Sequence, residues 1–144
     1  DISGWVFRSS ESDLKSTDLD ALECDAIVAG HCGVPFIQML PHDRLWINAG
    51  VIGMPANDGT RRGWFTIIAP KESGLDIQMH PLRFDTASAA NAMREAQLSD
   101  AYAKALETGL WPNMDVLPEP ERLQQGEPLG EINLVWRRAE RNVA

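Results

Sequence analysis

The residues that most constrain this chain are 25–36, where a short run of apolar residues ends abruptly in a Gly-His pair. The run is too short for a buried helix and is bounded by glycines, which is typical of a buried strand that ends in a loop. Such a strand places His31 at its carboxyl end, where α/β sheets commonly bind ligands. The segment therefore predicts an α/β fold with an imidazole in a strand-end loop.

A second strand pattern at 44–48 ends at Asn48, directly before a glycine-rich loop. Two consecutive strands therefore deliver His31 and Asn48 into neighbouring loops. Two further strands are predicted near 63–69 and 75–82. The first is apolar on both faces, as a central strand would be, and the second alternates between apolar and polar residues.

Helical patterns flank these strands. An acidic, hydroxyl-rich segment at 9–13 is typical of a helix start and predicts a helix before the Gly-His strand. Two more helices are predicted after residue 82. Asp85 or Thr86 can cap the first of them, and Gly109 is expected to end the second.

The order and spacing of these segments resemble a known enzyme family. Residues 30–33 read Gly-His-Cys-Gly and are similar to the Gly-His-x-His motif of calcineurin-like metallophosphoesterases. Residues 45–53 are similar to the family's Asn-Pro-Gly-Ser-Val-Gly loop, and the resemblance covers roughly residues 5 to 108. It implies an α/β fold that is half of a four-layer α-β-β-α metallophosphoesterase sandwich, a mixed sheet with flanking helices.

Three positions depart from the family's pattern. Gly33 stands where the family has its second histidine, Ala49 where it has proline and Val51 where it has serine. These departures support an alternative hypothesis, in which the chain is a non-catalytic relative that keeps the fold as a binding or regulatory module.

The resemblance implies a site for two divalent metal ions (manganese, iron, nickel or zinc) and assigns His31 to one of them. The family's other ligands come from motifs that precede Gly-His-x-His, and none of those motifs is in this chain. Gly33 has no side chain and cannot serve the second ion. His31 is therefore the metal ligand predicted here, and no catalytic residue is assigned to the chain.

Five other residues have two interpretations each. The Asn48 amide orients a metal-bound water or a phosphate oxygen, or it caps the glycine-rich turn. Gly50 lets backbone N–H groups approach a phosphate, or it only makes a tight turn. Arg61 contacts an anionic substrate or lies on the surface. Cys32 is a metal ligand or a small buried residue, and Trp5 is a buried anchor or stacks on a ligand.

The leading hypothesis is that the chain is the C-terminal part of a metal-dependent phosphoesterase, a hydrolase that cleaves a phosphomono- or phosphodiester. Because most of the family's ligands are absent, the chain alone is not expected to be active. A free-standing zinc domain built from Cys24, His31 and Cys32 is disfavoured, since the spacing of these ligands matches no tetrahedral pattern.

Composition excludes several classes of protein. The 144 residues include 13 Lys and Arg against 21 Asp and Glu, and the net charge of −8 argues against a nucleic-acid surface. No run approaches the roughly 18 apolar residues of a membrane span, so a cytoplasmic location is expected by default. A disulfide between Cys24 and Cys32 is not expected, because nothing in the sequence indicates export.

The chain divides into a metallophosphoesterase-like part, 1–109, and a proline-rich arm with a last strand, 110–144. The arm is expected to pack across the body through Leu110, Trp111 and Trp136. In the family that the sequence resembles, loops and accessory segments read the leaving group, and residues 110–130 of the arm are a candidate for one of them.

The four predicted strands supply one sheet, and its apolar inner face needs a cover. Roughly a dozen apolar side chains at ~1.5 kcal/mol each leave ~20 kcal/mol of burial unmade. That exceeds the ~5–15 kcal/mol by which whole domains are stable. The expected cover is the missing N-terminal half of the same domain or a second copy of the chain.

Overall fold

Two small sheets with flanking helices make up residues 4–137, the part of the chain that the computed structural model describes. In chain order the elements are α1 (Ser12–Ala21), β1 (Ala26–Ala29), β2 (Phe36–Leu40), β3 (Arg44–Asn48), β4 (Gly63–Lys71), β5 (Gly74–Leu82), α2 (Thr86–Glu95), α3 (Asp100–Thr108), α4 (Glu119–Leu123) and β6 (Ile132–Arg137). A 3₁₀ turn at Pro41–Asp43 joins β2 to β3. The predicted class, α/β with flanking helices, is confirmed, and residues 138–144 of the predicted arm lie outside the described residues.

The first sheet has the strand order β1–β3–β2. β1 runs parallel to β3, with Ala29 opposite Asn48, so the carboxyl ends of both strands lie at one edge. β2 runs antiparallel to β3 and places Phe36 opposite Asn48 at the same edge. The parallel pairing decides where the strand-end loops meet, because parallel strands bring like ends together.

The second sheet is antiparallel and has the order β4–β5–β6. The prediction of one sheet is therefore wrong, because the chain leaves the first sheet after β3 and starts a new one at Gly63. β4 is also not the central strand that its sequence indicates. It lies at an edge, where Phe65 and Ile67 are exposed, since β-branched and aromatic residues favour edge and central strands alike. Ile77 and Met79 of β5 are buried, as predicted.

A shared core joins the two sheets. Leu45 and Ile47 of β3 pack there with Ile77, Met79 and Trp136 of the second sheet. The chain thus covers one face of its first sheet with its own second sheet, and part of the burial expected from a missing partner is made within the chain. Each fully buried side chain of this kind contributes about 1.5–3 kcal/mol.

The opposite face of the first sheet packs on α1 and the arm. Trp46 points to this side, as the two-residue period of β3 requires. It belongs to a second core with Phe7, with Leu19 of α1, and with Trp111 and Leu117 of the arm. The first sheet is therefore a middle layer between the second sheet and a layer of helix and arm.

α2 and α3 pack on each other through small residues. Ala90, Ala103 and Leu106 form their buried contact. Asp85 caps α2 by accepting the Ser88 N–H at 2.9 Å, and α3 ends at Gly109 as predicted. Within residues 4–137, no helix is long and apolar enough to cross a bilayer.

The arm is held by residues 55–62, which we call the anchor loop. The backbone N–H of Trp111 donates to Asn57 Oδ1 at 2.8 Å, and its indole N–H donates to Pro55 O at 2.6 Å. Further along the chain, the indole N–H of Trp136 donates to the Asp43 carbonyl at 2.7 Å. Both tryptophans are 7% exposed, so the arm lies on the body at these two points.

Candidate functional site

The carboxyl ends of β1 and β3 bring two loops together, residues 30–35 and 49–54, which we call the motif loops. The Ala49 N–H donates to the Ala29 carbonyl at 3.0 Å, so the two loops leave the sheet side by side. The prediction that these loops are neighbours is therefore confirmed.

His31 is the exposed titratable side chain of the motif loops. Its backbone is left-handed, with φ 68°, a conformation that costs a non-glycine residue about 1–2 kcal/mol and is concentrated at functional sites. The ring packs on Trp5, with centroids 4.5 Å apart and planes tilted by 37°. Trp5 is not a buried anchor, because Phe7 takes the buried position (1% exposed) and leaves Trp5 44% exposed.

Asn48 is fully buried and braces the first motif loop. Its amide N–H₂ donates to Cys32 Sγ at 2.8 Å and to the Val34 carbonyl at 2.5 Å. Its Oδ1 is buried and has no hydrogen-bond partner among the described residues. The side chain therefore faces the protein interior, and the loop that it stabilises is 30–35 rather than its own glycine-rich turn.

Cys32 points away from His31 and into the core. It is 1% exposed, and burial raises the pKa of its thiol to about 11. A neutral thiol is not the thiolate that binds zinc, so its contacts fit the small buried residue. Cys24 and Cys32 are both free cysteines in this structure.

Trp111 packs against Gly33, the residue that the sequence resemblance compares with the family's second histidine. A Cβ on Gly33 would lie 2.7 Å from Trp111 Cζ2, and its backbone has φ 69°. No larger side chain fits there unless the tryptophan moves. The sequence predicts Trp111 in the arm but does not predict its contact with Gly33. The available signal for that contact was a glycine in the Gly-His segment combined with a tryptophan after a predicted helix end.

Gly50 and Arg61 lie at the margin of the site. A Cβ on Gly50 would lie 3.3 Å from the Trp64 Cβ and 3.6 Å from the Pro35 Cβ, as in a closely packed turn. Arg61 is exposed and lies near enough to Glu107 to help lower the pKa of that carboxylate, a smaller effect than the Arg94 contact. Neither residue lines the cavities on either side of His31.

Two cavities flank His31. The larger, which we call the groove, has a volume of about 500 Å³ and lies between α1 and β1, where Leu22, Ile27 and Trp46 line it. The smaller, which we call the aromatic cavity, has a volume of about 250 Å³ and is lined by Trp5, Gly33, Met54, Tyr102, Trp111 and Val116. His31 lines both.

The described residues do not form a metal centre by themselves. Over residues 4–137, no three side chains of His, Cys, Asp and Glu lie close enough together to hold an ion. His31 offers a single imidazole, and Trp111 fills the space beside Gly33. The donors present here thus do not fit the dinuclear site that the resemblance implies.

Comparison with solved structures identifies the fold. The chain is similar to a hypothetical protein from Pyrococcus horikoshii OT3, with a TM-score of 0.61 and 14% identity over 76% of this chain and 42% of that one. It is also similar to a metallophosphoesterase from Sphaerobacter thermophilus, with a TM-score of 0.55 and 20% identity over 69% of this chain and 48% of that one. No protein-family model matches the sequence, and no curated protein matches it significantly.

At these identities the similarity shows the fold alone. The chain has a metallophosphoesterase-like α/β fold, and it spans less than half the length of both structures.

Proposed function

We propose that this chain is the C-terminal part of a metal-dependent phosphoesterase that hydrolyses a phosphomono- or phosphodiester. The observation that carries the proposal is the meeting of the His31 loop and the Asn48 loop at the carboxyl ends of two parallel strands. The fold around them is similar to that of a solved metallophosphoesterase. An exposed, strained histidine at such an edge is well placed for chemistry.

His31 would contribute one imidazole nitrogen to a divalent metal ion, and nitrogen of this kind suits zinc, iron and nickel. The remaining donors would come from outside residues 4–137, because the described part of the chain has no group of three or more His, Cys, Asp and Glu side chains that could hold an ion. A bound metal would supply Lewis-acid chemistry to the phosphoester. The contribution of this chain would be to hold the imidazole rigidly beside the two cavities.

The test uses the full-length protein, with metal content measured by mass spectrometry and hydrolysis measured on 4-nitrophenyl phosphate and bis(4-nitrophenyl) phosphate. His31→Ala should lower hydrolysis at least about 100-fold, because loss of a metal ligand costs more than loss of its supporting contacts. His42→Ala is the matched control, since His42 is also exposed with a positive φ of 63°. Equal losses in both variants would contradict the proposal.

A second candidate is a non-catalytic binding or regulatory module. It is favoured by the contact of Trp111 with Gly33, which closes the position of the family's second histidine. A full-length protein that is stable, free of metal and inactive on both substrates would support this candidate against the first.

The same topology leads to a proposal for what covers the groove. Among the described residues β1 pairs with β3 and with no other strand, and beside it Val28 and Leu22 are 58% and 66% exposed. We propose that the other half of the same domain, or a second copy, adds to this edge. In the full-length protein, the outward amides of 26–29 should exchange slowly, while those at the free edge of β4 exchange fast. Equally fast exchange at both edges would contradict the proposal.

A further inference from the structure

The aromatic cavity brings together rings from separate segments of the chain. Trp5 precedes α1, His31 lies in a motif loop, Tyr102 is on α3, and Trp111 begins the arm. Trp5 and Tyr102 are 44% and 50% exposed. Large aromatic side chains that are half exposed and face one cavity are typical of a binding surface.

One wall of this cavity is rigid. Trp111 is held by hydrogen bonds at both its backbone N–H (2.8 Å) and its indole N–H (2.6 Å), and the absence of a side chain at Gly33 admits its ring. On the other side, Trp5 is already stacked on Phe7, with centroids 6.2 Å apart and planes 8° apart. The walls are thus preorganised, which lowers the entropic cost of binding.

The lining of the cavity is mostly aromatic and apolar. None of the described residues that line it is Asp, Glu, Lys or Arg, in a chain whose net charge is −8. A charged group would lose hydration there without gaining an ion pair. Aromatic faces and edges instead favour another aromatic ring, through offset stacking or edge-to-face contact.

We infer that the aromatic cavity binds a flat, uncharged aromatic ring carried by a small-molecule ligand. The volume of about 250 Å³ is below the roughly 300–1,000 Å³ of sites that hold a whole drug-sized molecule, so the cavity takes one ring of a larger ligand. The ring would lie beside His31 and Asn113, two polar residues of the lining. This goes beyond the proposed function, because ring binding needs neither a metal nor hydrolysis.

The experiment is calorimetric titration of the full-length protein with phenol and with cyclohexanol, which are similar in size and differ in aromaticity. Phenol should bind and cyclohexanol should not. Tyr102→Ala should weaken phenol binding about 2- to 12-fold, the range of a single aromatic contact, and Tyr102→Phe should retain it. Phe65→Ala removes an exposed ring that lies on the second sheet and should change nothing.

Equal binding of phenol and cyclohexanol would overturn the inference, because the cavity would then be a general apolar pocket. Unchanged binding in Tyr102→Ala would overturn it as well, and a second variant, Trp5→Ala, checks the opposite wall. Tighter binding of tetramethylammonium than of phenol would also overturn the inference, because the cavity would then bind a cation on its aromatic faces. These binding measurements need neither a bound metal nor hydrolysis. A failure of the proposed function can therefore be told apart from a failure of this inference.

Discussion

The motif loops and the anchor loop differ in where their polar side chains point. In the anchor loop, Asn57 and Asp58 turn inward and are 3% and 1% exposed. In the first motif loop Cys32 also turns inward, but His31 is turned out between two cavities. The direction of one side chain separates the candidate site from a structural joint.

The anchor loop uses its polarity for stability. The Asp58 carboxylate accepts the Thr60 N–H (3.0 Å), the Thr60 hydroxyl (2.6 Å), the Leu129 N–H (3.1 Å) and the Arg62 guanidinium (3.2 Å). Such a network is costly to break, because buried donors such as the Leu129 N–H lose their acceptor; the Arg62 guanidinium keeps the Leu129 carbonyl as an acceptor. The comparison shows that a polar loop indicates a functional site only where its side chains stay accessible.

The largest effect is expected at Asp58. Asp58→Ala should lower the free energy of unfolding by about 3–5 kcal/mol, because it leaves Arg62 largely buried without its counter-ion. The measurement is urea denaturation, with Glu72→Ala in the exposed β4–β5 turn as the control, expected within about 0.5 kcal/mol of wild type. A loss under about 1 kcal/mol at Asp58 would mean that the anchor loop is not a structural joint.

The next effect is expected at Gly33. Gly33→Ala should lower the free energy of unfolding by about 2–4 kcal/mol, because the backbone is left-handed there and the added Cβ clashes with Trp111. Gly53→Ala is the matched control, because Gly53 has φ 83° but no heavy atom within 4 Å of its added Cβ; it should cost about 1 kcal/mol.

The difference in unfolding free energy between these two variants measures how tightly Trp111 closes the space beside Gly33. Combining Gly33→Ala with Trp111→Ala should give a smaller loss than the sum of the single changes, since the small side chain then has room. Additive losses would show that Trp111 does not fill this position.

Ionisation of Cys32 is expected to lower the free energy of unfolding by about 2 kcal/mol as the pH rises. Its pKa in the folded protein is about 11, against the ordinary value of 9.0. The folded state therefore holds this proton more tightly, so its contribution is present below pH 9 and is lost as the pH rises toward 11. Denaturation at pH 8 and pH 11 should show a smaller decrease in Cys32→Ala than in wild type, while Cys24→Ala behaves as wild type.

The smallest effect is expected at His31. His31→Gly should raise the free energy of unfolding by up to about 1 kcal/mol, because it relieves the left-handed backbone of a non-glycine residue. Gln97→Gly, at an exposed residue with φ 56°, should behave similarly without affecting hydrolysis. A loss of more than about 1 kcal/mol at His31 would show that its imidazole is structural, like the side chains of the anchor loop.

Much of the local structure was predictable because it depends on neighbours in the sequence. The short apolar run before His31 forms β1, the alternation around Ile77 forms β5, and Gly109 ends α3. The adjacency of the two motif loops also followed from the order of the strands and the family resemblance.

The division into two sheets was not predictable in the same way. The residues of β4 suit a central strand as well as an edge strand, because β-propensity reports a fit to a pleated surface and not a position in the sheet. Pairing is decided by which strands can share a core, and Trp136 reaches that core from the far end of the described chain.

By itself, the sequence determined the elements, their caps and the two glycine-rich loops that end β1 and β3, since these depend on short-range periodicity and backbone preference. Only the tertiary structure decided that Asn48 braces a loop, that Trp111 closes the space beside Gly33, and that the rings of Trp5 and Tyr102 face one cavity. Those outcomes depend on contacts between segments far apart in the chain. Local sequence patterns do not specify which distant side chains will pack against each other, so these contacts are decided by tertiary packing.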